Sequence, residues 1–589
     1  MRIGYIDGPR FYRAFAAGAE ALAAARDEID RINVFPLADA DTGTNMVATV
    51  RAAVAQAAVS PELGTTVASM AASAVAGARG NSGLILAQYL YGLGRELTGK
   101  ARMAGAAFGG PLVRAVRWAR QAIGEPVEGT ILTVIRDWAH AVETGRRGGD
   151  LAQLLPSALE AARASLERTQ SQLAALTCAG VVDAGAKGFV TLLEGIERLI
   201  ERGDGLQQDR LQPVPPPLTE DVVPPNLDGP RFCAEAIVAG SRLEAAELRA
   251  MAGAVASSVV IAGGGGVLHL HAHTGDPPAL FELLEQVGRI EVPKVDDMWR
   301  QYETAHAQST SIALVTDSTC DLPRELLDEH RIHVVPIPMQ VGDSSHLDRL
   351  TITPSTFYQR QLEGGRAPTT SQPPVAAFER VFRFVGRYAE HILAIPLASR
   401  LSGTCNAART AAARVGQAVR VVDSRRVSAA LGLLVLRAAE AVRSGAAFGD
   451  LMPALGSWIP KTHMLVAPKT LDTLWRSGRL HGAKGFVAKL LNVIPVVTID
   501  EAGDLARAGL ARFQSGALDV MTHQILALVA NTEVWGWAVV HAHAPAAAAS
   551  LAARVERICG VRPRFVEDAA PALGLHAGPG TLGVAVMLR

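Results

Sequence analysis

The sequence predicts a multidomain chain with an all-α domain first, a small α+β domain in the middle and an α/β domain last. Its 589 residues are too many for one hydrophobic core, since domains run to about 150 residues. From about residue 9 to 200, Ala and Leu recur at helical spacing, and the pattern stops at "LQPVPPPLTEDVVPPNLDGP". Beyond residue 311, apolar strands such as "HILAIPLA" and "AVRVVDS" alternate with helical segments, a pattern that implies an α/β domain with a largely parallel sheet.

In the first part, "FYRAFAAGAEALAAARDEIDRI", "LLPSALEAARASLERTQSQLAAL" and "GFVTLLEGIERLIERG" carry apolar residues on one helical face. The proline run then forbids a helix and favours an extended connector. This gives a first domain over 1–204 and a linker over 205–228. The next unit, 229–308, opens with "RFCAEAIVAG" and a helical "LEAAELRAMAGAV". A strand pair around "SSVVIAGGGGVLHLHAHT" and a helix over 278–287 follow, an order that suggests a small α+β domain. The last domain, 309–589, starts at "SIALVTDSTCDLP", a buried strand entering a turn.

Composition narrows the function classes. Lys and Arg number 57 against 57 Asp and Glu, so no net field argues for nucleic acid or an anionic membrane surface. Small molecules or proteins are the expected partners. Five scattered cysteines without a CxxC pair do not read as a secreted disulfide framework, which makes the cytoplasm the expected location. The start "MRIGYIDGPR" lacks the apolar core of a signal peptide. The uncharged run 250–275 is long enough to span a bilayer, but "GGGG" and three histidines interrupt it, so it reads as paired buried strands and the chain as not transmembrane.

Three groups of residues carry chemistry. In "LADADTGTNM", Asp39 and Asp41 stand one residue apart in a loop, where both carboxylates can face one hard cation. Thr42, Thr44 and Asn45 follow where a helix starts and a phosphate is favoured, although the threonines could equally be plain N-caps. A second small-residue stretch, "GARGNSG", precedes another apolar helix, and no Walker-type motif occurs. In the middle unit, His269, His271 and His273 alternate along one strand and so share a face. Neutral imidazoles there suit Zn²⁺, and Cys233 could add a thiolate from a neighbouring strand. In the last third, "PTTSQPP", "LASRLSGTCNAA", "WRSGRLHG" and "GLHAGPGTLG" combine hydroxyls, basic groups and glycine turns that would hold an anion.

Each group also carries a family resemblance. "INVFPLADADTGTNM", "GARGNSG", "PVEGTILTVIRD" and "AGVVDAGAKGF" resemble, in order, the motifs of the DhaL-type kinase domain. The resemblance implies a helical barrel that binds ATP with two Mg²⁺ ions, held by Asp39 and Asp41. Asn33, Thr42, Thr44 and Asn45, together with Asn81, Ser82 and Gly83, match positions around metal and phosphates. Thr130, Asp183 and Gly185 match the nucleotide-lining motifs. Ala38, Ala40 and Ala186 depart from that pattern. "RFCAEAIV", "LHLHAHTGDP" and "VPKVDDMWRQ" resemble the central domain of the catalytic component of fatty acid kinase, which implies a structural Zn²⁺ on Cys233, His271 and His273, with His269 a bystander. Residues 311–589 resemble the DegV family of two-lobed α/β lipid binders, adding "VTDSTCDLP" and "VVDSRRVSAALG" to the four pieces above. Thr370, Ser371, Ser399, Ser402, Arg479 and His576 match its carboxylate-binding region.

Together these resemblances imply a fused bacterial fatty acid kinase that makes acyl phosphate and ADP from ATP and a long-chain fatty acid. Asp39, Asp41, Arg479 and His576 are then the catalytic candidates. An acyltransferase that uses acyl phosphate, a homodimer and transient work at the membrane surface follow as expectations. Two rivals are a dihydroxyacetone-type kinase and a non-catalytic lipid carrier with a degenerate kinase domain.

Overall fold

The computed structural model describes residues 3–35, 41–145, 150–202, 229–306, 311–416, 418–469 and 494–589. The predicted linker 205–228, together with Asp39 and Arg479, lies outside the described residues. The chain forms two compact units, Met1–Tyr302 and Glu303–Arg589.

Among the described residues, the first unit begins with ten helices: α1 (Gly8–Ala24), α2 (Arg26–Arg31), α3 (Thr42–Ala55), α4 (Leu63–Gly77), α5 (Gly80–Glu96), α6 (Gly105–Gln121), α7 (Ile131–Thr144), α8 (Leu151–Gln172), α9 (Ala174–Ala179) and α10 (Ala184–Arg202). Two three-residue strands, β1 (Tyr5–Asp7) and β2 (Arg102–Ala104), pair antiparallel beside them. The helices neighbour one another in a closed order, α1–α3–α4–α5–α6–α7–α8–α10 and back to α1. Glycine permits that closure: a Cβ on Gly195 of α10 would lie 2.6 Å from the Ala17 carbonyl and 2.7 Å from Gly18 of α1. Helix α5 is buried along most of its length through Leu84, Ile85, Leu86, Leu90 and Leu93, each stabilising the fold by about 1.5–3 kcal/mol. An apolar cavity of about 250 Å³ lies among α1, α5, α6, α7, α8 and α10.

The same unit continues into a four-stranded antiparallel sheet of β3 (Phe232–Ala239), β4 (Ser257–Gly264), β5 (Val267–Thr274) and β6 (Arg289–Asp297), in the order β4-β5-β3-β6. Helices α11 (Ala245–Ala252) and α12 (Pro277–Val287) complete the α+β part. The uncharged run is the β4–β5 hairpin. Its two-residue turn is Gly265-Gly266 with φ +64° and +87°, the backbone such tight hairpins require. The sheet is stitched to the helices. Gly263 N–H donates to Gln88 Oε1 at 2.7 Å, Ile261 N–H donates to the Ala122 carbonyl at 2.9 Å, and Val260 bridges Ile123.

Among the described residues, the second unit holds three sheets. The first is parallel, in the order β13-β12-β7-β8, from β7 (Ile312–Asp317), β8 (His333–Val335), β12 (His391–Ala394) and β13 (Val419–Val421). A small antiparallel one joins β9 (Pro338–Val341), β10 (Ser344–Leu347) and β11 (Thr369–Thr370). The third has six strands in the order β16-β15-β14-β19-β17-β18, formed by β14 (Thr462–Ala467), β15 (Ile494–Ile499), β16 (Leu505–Ala511), β17 (Val534–His541), β18 (Phe565–Asp568) and β19 (Leu582–Leu588). Only the β17–β18 pair in it is parallel. This corrects the expectation of a largely parallel sheet: β15 and β16 are joined by a turn through Gly503 at φ +91°, and parallel neighbours need a crossover of a dozen or more residues. The 2 % exposed Arg426 donates to the carbonyls of Arg425, Ile459, Thr462 and Asp500, which ties the segment after β13 to the third sheet.

Candidate functional site

In the first unit three helix starts converge. Asp41 is the residue before α3 and makes no side-chain cap bond to it. Gly83 of α5 packs on α3, where an added Cβ would lie 2.4 Å from Thr49 Oγ1. Gly80 opens α5 at φ +59°, and a Cβ there would lie 2.6 Å from Asn45 Nδ2. A Cβ on Gly185 would lie 2.4 Å from Ser82 Oγ, so the start of α10 touches the start of α5. Asn45, Asn81, Ser82, Gly83, Asp183 and Gly185 are thereby brought to neighbouring helix ends, with Thr42 buried in the first turn of α3. Asn81 Oδ1 is buried with no hydrogen-bond partner among the described residues. An orphaned oxygen beside three converging helix starts fits a site for a cation and phosphate.

Other predicted residues have local duties. Thr44 donates its hydroxyl to Asp30 Oδ2 at 2.7 Å and its N–H to Oδ1 at 2.9 Å. Burial raises the Asp30 carboxyl against those bonds. Asn33 is buried beside it, its N–H donating to the Asp30 carbonyl. Thr130 donates to the Val127 carbonyl at 2.8 Å. Asp183 accepts from Ala186 N–H at 2.7 Å, and burial pushes its carboxyl up to about 6. Ala186 sits inside α10 with that bond made, so a side chain there is absorbed by a regular helix.

The sheet presents the second cluster on one face. Register sets Cys233 opposite His273 and Glu235 opposite His271 across β3–β5, and Glu235 opposite Lys294 across β3–β6. One ligand atom each from Cys233, His271 and His273 lies within 4.8 Å of the others. His271 Nδ1 is 3.1 Å from Glu235 Oε1, and Cys233 Sγ lies 3.7 Å from Nδ1 and 4.0 Å from Nε2. His269 turns elsewhere and donates to the Val75 carbonyl at 2.7 Å. Burial lowers His273 to about 3 and raises the Cys233 thiol. Sulfur plus neutral imidazoles is zinc chemistry, three protein donors leave a fourth position, and a carboxylate on the second imidazole nitrogen is the usual support.

This cluster lies beside the helix starts. Burial works against the Glu235 carboxylate, but Lys294 and the His271 bond hold it well below the usual range. Lys294 pairs with Asp296 at 2.8 Å and Glu235 at 3.6 Å. These carboxylates outweigh burial and keep it charged, and Asp41 is near enough to act on both Lys294 and Cys233. Glu235 and Lys294 do not stand out in the sequence. Strand alternation carries the signal, since Glu235 is two residues from Cys233 and so on the same face.

In the second unit a cavity of about 160 Å³ has apolar walls from residues such as Leu397, Leu401, Val466, Val497 and Ile499. Thr370, Ser371, Ser402 and His576 line it, as do Thr319 and Gln372 from within "VTDSTCDLP" and "PTTSQPP", and His541, which no quoted motif contains. The structure does not bring Ser399 to the lining: its hydroxyl donates to Asp423 Oδ2 at 2.5 Å. His576 rides on the helix Pro571–Ala577, which two buried carboxylates anchor. Asp321 accepts from Ala570 N–H at 2.7 Å and Asp348 from Ala572 N–H at 3.0 Å. Burial pushes Asp321 up to about 6 and Asp348 to about 7.

Known proteins fit this anatomy. A family model described as the DAK2 domain matches residues 36–198, and one described as the FakA-like middle domain of fatty acid kinase matches 229–305. A third, described as "uncharacterised protein, DegV family", matches 311–589. DegV domain-containing proteins of Mycobacterium bovis and Mycobacterium tuberculosis are each 33% identical over 280 residues, 47% of this chain and 97% of theirs. One from Staphylococcus aureus is 28% identical over 48% of this chain and 100% of its own. Among solved structures, a DegV family protein from Thermus thermophilus described by its fatty acid binding is 32% identical, over 47% of this chain and 100% of that one, at a TM-score of 0.45. DegV from Bacillus subtilis, described as a fatty acid binding protein, is 26% identical over 48% and 100%, also at 0.45.

The first two matches define a kinase-type enzyme of several domains, and the whole set has the composition of a fatty acid kinase fusion. Through residues 311–589 the chain belongs to the DegV family. No helix among the described residues is long and apolar enough to cross a membrane.

Proposed function

We propose that the chain is a fatty acid kinase that phosphorylates a long-chain fatty acid held in its DegV domain. The observation that carries this reading is one chain with two complementary sites: helix starts suited to a nucleotide, and an apolar cavity with a polar group of Thr370, Ser371, Ser402 and His576.

In this reading the closed ring of helices is the barrel of the kinase domain. Asn45, Asn81, Ser82 and the α3, α5 and α10 starts bind ATP phosphates, and Asp41 with Asp39 and Asn33 holds Mg²⁺. Two Mg²⁺ ions bound there would neutralise triphosphate charge. Cys233, His271 and His273 would hold the structural Zn²⁺. Burying the acyl chain contributes about 0.8 kcal/mol per methylene, while His576, Arg479 and the hydroxyls orient the carboxylate. At neutral pH that carboxylate is already a nucleophile. One of its oxygens bonds to the γ-phosphorus as the bond to the β–γ bridging oxygen breaks, giving acyl phosphate and ADP. Alignment and charge neutralisation supply the catalysis. An acyltransferase that consumes acyl phosphate is the expected downstream partner.

The test is fatty-acid-dependent ADP release by the purified full-length chain with ATP and Mg²⁺, with hydroxylamine trapping the acyl group as a hydroxamate. ADP release without fatty acid, or with dihydroxyacetone instead, refutes the proposal. No ATP consumption with any fatty acid, from a chain that retains copurified lipid, favours the carrier reading.

A further inference from the structure

Glu235 is 1 % exposed, yet its carboxylate reaches both sites of the first unit. Oε1 accepts from Gly80 N–H, the first residue of α5, at 2.9 Å. The same oxygen is 3.1 Å from His271 Nδ1, whose proton it accepts. Oε2 lies 3.3 Å from the Arg79 guanidinium and 3.6 Å from Lys294 Nζ. Gly80 sits against Asn45 of α3 and cannot shift without moving that contact. One buried side chain from the sheet thus fixes an imidazole of the Cys/His cluster and the backbone at the phosphate-facing end of α5.

We propose that Glu235 is a positioning residue that couples the two sites, so that a metal on Cys233, His271 and His273 and a nucleotide at the helix starts strengthen each other's binding. This rests on the nucleotide-binding part of the proposed function. A cation held by Cys233, His273 and the His271 nitrogen that Glu235 does not use would make the Nδ1 proton a stronger donor to Glu235, a common arrangement behind metal-bound histidine. That bond holds the carboxylate in the rotamer that receives Gly80 N–H and keeps the first turn of α5 in place. A nucleotide phosphate fixing the same turn holds the carboxylate for His271. Linkage requires the two effects to be equal in binding free energy.

The experiment uses the full chain, stripped of zinc with dipicolinate, dialysed and then supplied with Mg²⁺. ADP affinity is measured by calorimetry with and without one equivalent of Zn²⁺, and zinc affinity by a chromophoric chelator with and without ADP. Zinc is expected to tighten ADP binding about tenfold, and ADP to tighten zinc by the same factor. Glu235→Gln keeps the cluster and the nucleotide site but reduces both factors to near one. Equal ADP affinity with and without zinc in the wild type overturns the inference and leaves the kinase reading standing, whether or not the variant folds. Full coupling in Glu235→Gln also overturns it. A wild-type chain that binds no ADP in either state removes both readings.

Discussion

Replacing Asp348 by Asn isolates the effect of one buried charge beneath the cavity helix. Asp348 is fully buried and accepts from Ser318 Oγ at 2.6 Å and from Ala572 N–H at 3.0 Å. Asn retains an oxygen for Ala572, and its amide can donate to Ser318. Burial lifts the carboxyl from 3.8 to about 7, so between those values the folded chain binds a proton that the unfolded chain has released. Stability from this group is therefore complete below about pH 4 and is lost as pH rises to 7. With those two values, linkage leaves about 2 kcal/mol of it at pH 5.5 and almost nothing at pH 8. Asn does not ionise in either state, so the stability of D348N relative to the wild type should rise by about 2 kcal/mol between pH 5.5 and pH 8. Urea unfolding of the full-length chain at both pH values measures this, with hydrogen exchange assigning the transition of residues 311–589. Equal pH dependence in the two proteins would refute the reasoning.

Asp41→Asn should abolish phosphoryl transfer while copurified lipid remains; wild-type turnover removes the metal role of that loop. His271→Ala should lose about one zinc per chain by elemental analysis, and a folded wild type without zinc ends that assignment. Gly185→Ala puts a Cβ 2.4 Å from Ser82 Oγ and should weaken ADP binding by about 1–3 kcal/mol, an overpacking cost, read by calorimetry. Gly574→Ala places a Cβ 2.0 Å from the Tyr358 hydroxyl. Mass spectrometry should find less lipid bound to that variant.

Periodicity made the helices legible because each buries one stripe: "GFVTLLEGIERLIERG" becomes α10. The break at Ala25 between α1 and α2 was invisible, since neither glycine nor proline marks it. The donors on β3 and β5 were readable because strands alternate. Strand direction leaves no such trace, so the antiparallel character of the third sheet was not. At the candidate site, no motif sets Asp30 apart in the sequence, but it is buried and takes the Thr44 hydroxyl. Glu235 escaped notice because its partners Gly80 and Arg79 are more than 150 positions away. Sequence spacing cannot report such a contact.

The Gly265-Gly266 turn has a consequence for how this chain tolerates change. Leu268, Leu270 and Ala272 are the core-facing neighbours of His269, His271 and His273. A single inserted residue in that turn could be accommodated by sliding β5 one step, which would invert its faces. Three imidazoles would then enter the apolar layer, with Ala272 opposite Cys233 and Leu270 opposite Glu235. The imidazoles and the hydrophobic packing are written on alternate letters of the same eight-residue strand. Neither can drift without the other, so length variation in this hairpin should be lethal to folding well before it tunes the site.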